Sequence, residues 1–231
     1  MSLASARPWL ISVVALLGLA AIACAALAVK LDGPWLIRQP SPAGGDLAII
    51  YSGDGGWVAL DDALARALAD SGRSVVGVDA LRYFWRPRPS QPAAQDLAQI
   101  IREHGGDRRR GVVLVGYSFG ADALPIIVRD LPAEARARIA ALVLVGPEAK
   151  GDLEFRPSQW WGAHTSDAYD VAAVVGALKG VPITCIYGMQ DRRHAACPGF
   201  AAPVRKVGLP GGHHFNGDFT GLRRALAAAL P

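Results

Sequence analysis

From residue 46 onward, short apolar runs alternate with segments of helical period, and this alternation leaves few folds open. Runs at 47–51, 74–78, 111–115, 140–145, 183–187 and 204–207 are the length of buried strands, the third almost wholly β-branched or apolar. Between them, 59–70 carries Leu60, Leu64 and Leu68 four apart on one helical face, and 91–103, 121–129, 171–178 and 221–230 also read as helices. Strands alternating with helices predict an α/β protein whose mainly parallel sheet of about six strands is covered on both faces. In such sheets ligands bind beyond the carboxyl ends of the strands, so reactive groups should follow strands directly. One segment, 147–170, is too long for an ordinary connection and is expected to form a lid or binding loop.

The chain has 231 residues, 52% hydrophobic and 19% charged, a globular rather than a disordered balance. Part of that apolarity is concentrated between Trp9 and Val29, where no residue is charged, with Arg7 before and Lys30 after. A run of this length reads as a membrane anchor or, given the Ala23-Cys24-Ala25 and Ala26-Leu27-Ala28 patterns, as a cleaved signal peptide. Lipidation at Cys24 is a third reading, although Ala21 stands where such sites usually have Leu. Each places the rest of the chain outside the cytoplasm, organised as an export segment (1–30), a Pro- and Gly-rich linker or extended arm (31–45) and one domain (46–231). Of three cysteines, Cys185 and Cys197 form an even pair in the exported part, which predicts a disulfide in an oxidising compartment. The net charge of +4 suits an anionic membrane surface. No basic stripe interleaved with aromatics points to nucleic acid, and Arg108-Arg109-Arg110 reads as a solvated loop.

Chemistry enters at Gly116-Tyr117-Ser118-Phe119-Gly120, a G-x-S-x-G pattern that leaves a strand and opens into a helix. That is the setting of a nucleophile elbow, with Ser118 at a helix N-terminus where developing negative charge is favoured. Serine needs a base, and His104, His164, His194, His213 and His214 are the candidates. His213 and His214 follow the last strand behind Gly211-Gly212, where the order Ser, Asp, His puts the base; His213 is preferred and His214 stays open. Asp191, shortly after the 183–187 strand, is the expected acid, and Asp167 and Asp170 are fallbacks. Together these features predict an α/β-hydrolase fold with Ser118, Asp191 and His213 as catalytic residues. Backbone N–H groups of Phe119 and of Gly53, or else Asp54, would form the oxyanion hole. The 52–57 loop has neither phosphate-binding nor dinucleotide spacing, and no His/Cys cluster has metal-ligand spacing, so neither cofactor nor metal is expected.

Tyr51-Ser52-Gly53-Asp54-Gly55-Gly56-Trp57, Tyr83-Phe84-Trp85-Arg86, Gly116 to Asp122, the Cys185…Asp191…Cys197 segment and Gly-Gly-His-His-Phe together resemble the bacterial VirJ/AcvB virulence-protein domain. The resemblance runs from about Asp46 to the C-terminus and implies a periplasmic α/β-hydrolase-like domain. Such proteins are linked to hydrolysis of aminoacylated phosphatidylglycerol, commonly its lysyl form, and to export of virulence factors by secretion systems. It implies the same triad, a phospholipid headgroup as substrate and exported proteins as partners. Asp54, Tyr83, Trp85 and Arg86 would then bind substrate, with Arg82, Arg86 or Arg88 meeting the phosphate and Asp122, Glu148 or Asp152 a substrate ammonium. A chaperone-like export factor that needs no catalysis and a general carboxylesterase are the rival expectations.

Overall fold

The computed structural model describes residues 36–38, 45–106, 111–191 and 195–231. The expected export segment with Cys24, most of the linker, Arg108-Arg109-Arg110 and His194 lie outside them. Nine strands occur among the described residues: β1 (Leu36–Arg38), β2 (Leu47–Tyr51), β3 (Ser74–Val78), β4 (Val112–Tyr117), β5 (Ile139–Val145), β6 (Lys150–Gly151), β7 (Tyr169–Asp170), β8 (Ile183–Gly188) and β9 (Arg205–Leu209). The helices are α1 (Ala59–Asp70), α2 (Ala80–Tyr83), α3 (Ser90–His104), α4 (Phe119–Arg129), α5 (Ala133–Arg136), α6 (Val171–Ala177) and α7 (Phe219–Ala227).

Seven strands form the central sheet in the order β1-β3-β2-β4-β5-β8-β9, parallel throughout except for β1. The expected six are all present. The seventh, β1, comes from the stretch read as linker: Leu36, Ile37 and Arg38 pair antiparallel with Val78, Gly77 and Val76. Three residues are too few to carry a period, so pairing to an existing edge rather than sequence pattern makes this strand.

Because side chains alternate along a strand, Ala48, Ile50, Val113, Val115 and Val143 face one layer, joined there by Leu60, Leu64 and Leu68 of α1 and Leu222 and Leu226 of α7. Leu64 and Leu68 are completely buried, each contributing about 2 kcal/mol of hydrophobic stabilisation. The other face is covered by α4, which packs on β4, with α3 and α6 each packed against α4. Both faces being covered, the middle strands are apolar on both sides, which is why they read as unbroken hydrophobic runs.

The 147–170 segment is structured rather than loose. The β6–β7 pair closes its base, and the Tyr169 hydroxyl donates to the Asp122 carbonyl of α4 at 2.6 Å. Its middle is tied to the loop after α2, where Arg88 N–H donates to the Leu153 carbonyl and Phe155 N–H to the Phe84 carbonyl.

Candidate active site

The carboxyl ends of β2, β4, β8 and β9 carry the predicted residues. At the β4–α4 turn, Ser118 adopts φ 51° and ψ −122°, a left-handed-side conformation that few non-glycine residues take without a structural reason. The turn is possible because its flanks are glycines. A Cβ on Gly120 would stand 2.3 Å from the Tyr51 carbonyl oxygen, and one on Gly116 would stand 2.5 Å from that of Gly120. The elbow is fastened by Ser118 N–H to the Val145 carbonyl and Gly120 N–H to the Ser52 carbonyl.

His213 meets this serine from the loop after β9. Its Nε2 lies 2.8 Å from Ser118 Oγ, and its Nδ1 lies 3.0 Å from Asp191 Oδ2. Asp191 is held by its N–H to the Gly188 carbonyl and by accepting from Ala195 N–H. The predicted disulfide joins Cys185, inside β8, to Cys197, and so closes the loop that carries Asp191. Of the paired histidines, His213 is the one that lies beside Ser118. His214 turns away, and its Nδ1 lies 2.6 Å from the Tyr117 hydroxyl. Burial raises the Tyr117 phenol well above its ordinary range, so it stays protonated beside that nitrogen.

The 52–57 loop lies against the elbow. A Cβ on Gly53 would come within 3.3 Å of Ser118 Cβ and the Tyr117 ring. Asp54 reaches a narrow cleft of about 60 Å³ that also contains Ser118, Phe119, Asp122, Glu148, Lys150, Asp152, Gln159 and His164. Asp152 is buried and already satisfied, accepting from Thr165 N–H and hydroxyl and lying 3.1 Å from His164 Nδ1. Asp122 is buried in the first turn of α4 and accepts from Glu148 N–H at 2.7 Å. Its surroundings, by desolvating the charged form, push its carboxyl well above the ordinary range against the pull of that N–H. A larger cavity of about 670 Å³ lies by Gly111 and Ile139 at the opposite end of the sheet, away from these groups.

Other predicted substrate residues part company. Tyr83 is 3% exposed, donates from its hydroxyl to Asp96 at 2.6 Å and packs edge-on against Tyr51. Its apolar ring and a local carboxylate make it a core residue, which corrects its placement on the substrate. Arg88 is paired with Asp96 and lies over the Tyr83 ring, and Arg82 pairs with Asp79. Trp85 and Arg86 are exposed on the surface, outside the lining of the Ser118 cleft where a substrate would sit. Of the fallback acids, Asp170 caps α6 by accepting from Ala173 N–H, and Asp167 accepts from the Ser166 hydroxyl.

Several positioning residues escape sequence reading. Ser52 is fully buried, accepts from Ala80 N–H at 2.9 Å and donates to the Gly53 carbonyl, locking the 52–57 loop to the end of β3. Gln190 accepts from Gly211 N–H and ties the Asp191 loop to the His213 loop. Gly146 carries no side chain where His213 packs, 3.3 Å from its would-be Cβ. Only the Ser52 position, inside the loop already singled out, left a trace in the sequence.

Comparison with known proteins agrees with this architecture. An α/β-hydrolase superfamily protein from Xanthomonas campestris pv. campestris superposes with TM-score 0.57 at 20% identity, covering 79% of this chain and 96% of that one. The thioesterase domain from the curacin biosynthetic pathway gives 0.57 at 16% identity, covering 83% and 94%. An esterase domain from a Rhodothermus marinus protein gives 0.56 at 14% identity, covering 84% and 89%. No curated protein matches by sequence. The family model described as bacterial virulence protein (VirJ) matches residues 45–231, the whole sheet save β1 with every residue of the Ser118 site, and the chain therefore belongs to the VirJ family, on an α/β-hydrolase fold.

Proposed function

We propose that the protein is a serine esterase that removes the aminoacyl group from an aminoacylated phospholipid, of which lysyl-phosphatidylglycerol is the representative. The observation that carries this reading is that Ser118, joined to His213 and Asp191, opens into a cleft whose lining sets four carboxylates against one lysine, Lys150. A cleft for an ordinary fatty ester should be apolar. Here Asp54, Asp122 and Glu148 line it, and Asp152 braces its wall. An acyl group bearing an ammonium fits such a wall, and a cation beside Asp122 would restore the charged state that burial disfavours.

His213 Nε2 takes the Ser118 proton as Oγ attacks the aminoacyl carbonyl, and Asp191 stabilises the imidazolium at Nδ1. The N–H groups of Phe119 and Gly53 receive the oxyanion. The tetrahedral adduct expels the lipid alcohol, which takes the proton back from His213. Water, activated by the same imidazole, then releases the amino acid and regenerates Ser118.

The test is release of free lysine from lysyl-phosphatidylglycerol vesicles by the full chain and by Ser118→Ala. A neutral ester of the same glycerol headgroup is run in parallel. The reading expects Ser118-dependent release, at least about tenfold faster for the cationic acyl group. Ser118-dependent release with no preference would leave a general esterase. No release from folded protein would reject catalysis and favour an export factor.

A further inference from the structure

We propose that the face built from Trp85, Trp160 and Trp161 docks the domain on the surface of a phospholipid bilayer. Among the described residues only five large hydrophobic side chains are exposed, and three of them are these tryptophans, at 60%, 58% and 80%. They are not scattered. Trp85 stacks on Phe155 at 5.8 Å, Phe155 touches Trp160 at 5.4 Å, and Trp160 meets Trp161 at 6.4 Å. Two chain segments remote in sequence thus contribute to one aromatic row, and the hydrogen bonds between Phe155 and Phe84 and between Arg88 and Leu153 hold them together. Leaving three indoles in water is costly unless something covers them.

The chemistry of the row selects its partner. Indole is an amphipathic ring that favours the boundary between headgroups and acyl chains. The rim is polar: exposed Arg86 follows Trp85, and exposed Arg156, paired with Glu154 at 2.7 Å, precedes the turn that carries Trp160 and Trp161. An apolar row with guanidinium groups at its edge suits phosphate-bearing headgroups better than a purely apolar protein groove would. Gln159 lines the cleft from the same turn that carries Trp160 and Trp161, so docking brings the cleft to headgroup level. The proposal does not depend on which ester is cleaved.

The experiment uses the full chain in vesicles of phosphatidylglycerol and phosphatidylethanolamine, free of aminoacylated lipid, with some acyl chains brominated. Trp9, Trp35 and Trp57 are replaced by Phe, so that emission comes from the three surface indoles. Docking predicts that brominated lipid lowers this emission about twofold and that the same vesicles shield it from acrylamide. In the parent chain, Trp85→Ser/Trp160→Ser/Trp161→Ser should keep the thermal melt and lose that bromolipid-sensitive component. Emission indifferent to brominated lipid and open to acrylamide would overturn the proposal. So would shielding that follows protein concentration instead of lipid, which would mark a contact between copies. If the reporter chain melts early, the bromolipid-sensitive emission of the parent minus that of the triple serine variant decides the same question.

Discussion

Reducing the Cys185–Cys197 disulfide tests how the acid of the site is held. The cross-link joins residues 12 apart in sequence. In the chain-entropy treatment, a loop that size restricts the unfolded chain enough to contribute about 3 kcal/mol. For a domain of this size, that is a fall in Tm of roughly 6–12 °C on reduction. Reduction is the cleaner perturbation, because it removes no side-chain volume from positions that are completely buried. Replacing both cysteines by alanine would add a cavity term of its own. Activity should behave differently from stability. Asp191 is also held by its own N–H to Gly188, by Ala195 N–H to its carbonyl, and, through the next residue, by Ala196 N–H to the Pro147 carbonyl at 2.8 Å. Those bonds survive reduction, so well below the lowered Tm the rate should fall by less than about tenfold. The assay is a pair of thermal melts, on the oxidised protein and on protein reduced with dithiothreitol in denaturant and refolded with its free thiols counted, followed by ester hydrolysis at 25 °C in each state. An unchanged Tm would refute the loop-entropy argument. A rate that collapses while the fold stays intact would refute the claim that backbone bonds hold Asp191.

Two further perturbations probe the scaffold. Asp61 is fully buried, accepts from Val58 N–H at 2.9 Å, and burial raises its pKa from 3.8 to about 7. Because the folded state binds this proton more tightly than the unfolded state, its stability is greatest below about 3.8 and is lost as pH rises through about 7. The ionised form costs at most about 4 kcal/mol above that window. Asp61→Asn should therefore raise Tm at pH 8 and change it little at pH 4, and equal effects at both would contradict the assignment. Gly120→Ala would place a methyl group 2.3 Å from the Tyr51 carbonyl oxygen, where only backbone can yield. It should lose about 3 kcal/mol in a denaturant melt and most of its Ser118-dependent activity, and a native-like melt would show that the elbow can shift.

The sequence was most readable where one physical rule acts locally. Central strands buried on both faces must be apolar along their whole length, so β2, β4, β5 and β8 stood out with bounds within two residues of those observed. Ser118 was legible because its backbone geometry requires small neighbours, and glycines at 116 and 120 leave that requirement visible. What stayed hidden depends on contacts between distant segments. Tyr83 was read as a substrate-binding aromatic, but Asp96, thirteen residues on, gives its hydroxyl a partner and its ring lies in the core. The edge strand β1 is defined by pairing with β3 alone. The aromatic row was half visible, since Trp85 was noticed, but nothing in the spacing of Trp160 and Trp161 reveals that Phe155 connects them to it.

The 147–170 insertion joins the two proposals into one physical picture. Glu148 and Asp152 face the cleft, while Phe155, Trp160 and Trp161 form the outer row, all within fourteen residues of one another. Its base is fixed by the β6–β7 pair and the Tyr169–Asp122 bond, and its start bridges to Ala195, near Asp191. A segment anchored at both ends and attached to the Asp191 loop transmits displacement poorly except as a unit. On the bilayer proposal, contact of the tryptophans with lipid is then a contact with the wall that, on the proposed function, selects the acyl group. On the proposed mechanism, membrane docking should lower KM for a lipid-borne ester through placement of the cleft and leave kcat, which Ser118, His213 and Asp191 would set, alone. The triple serine variant should accordingly raise KM on vesicles and leave turnover of a soluble aminoacyl ester unchanged. If both substrates suffered alike, the insertion would be a catalytic scaffold and not a docking element.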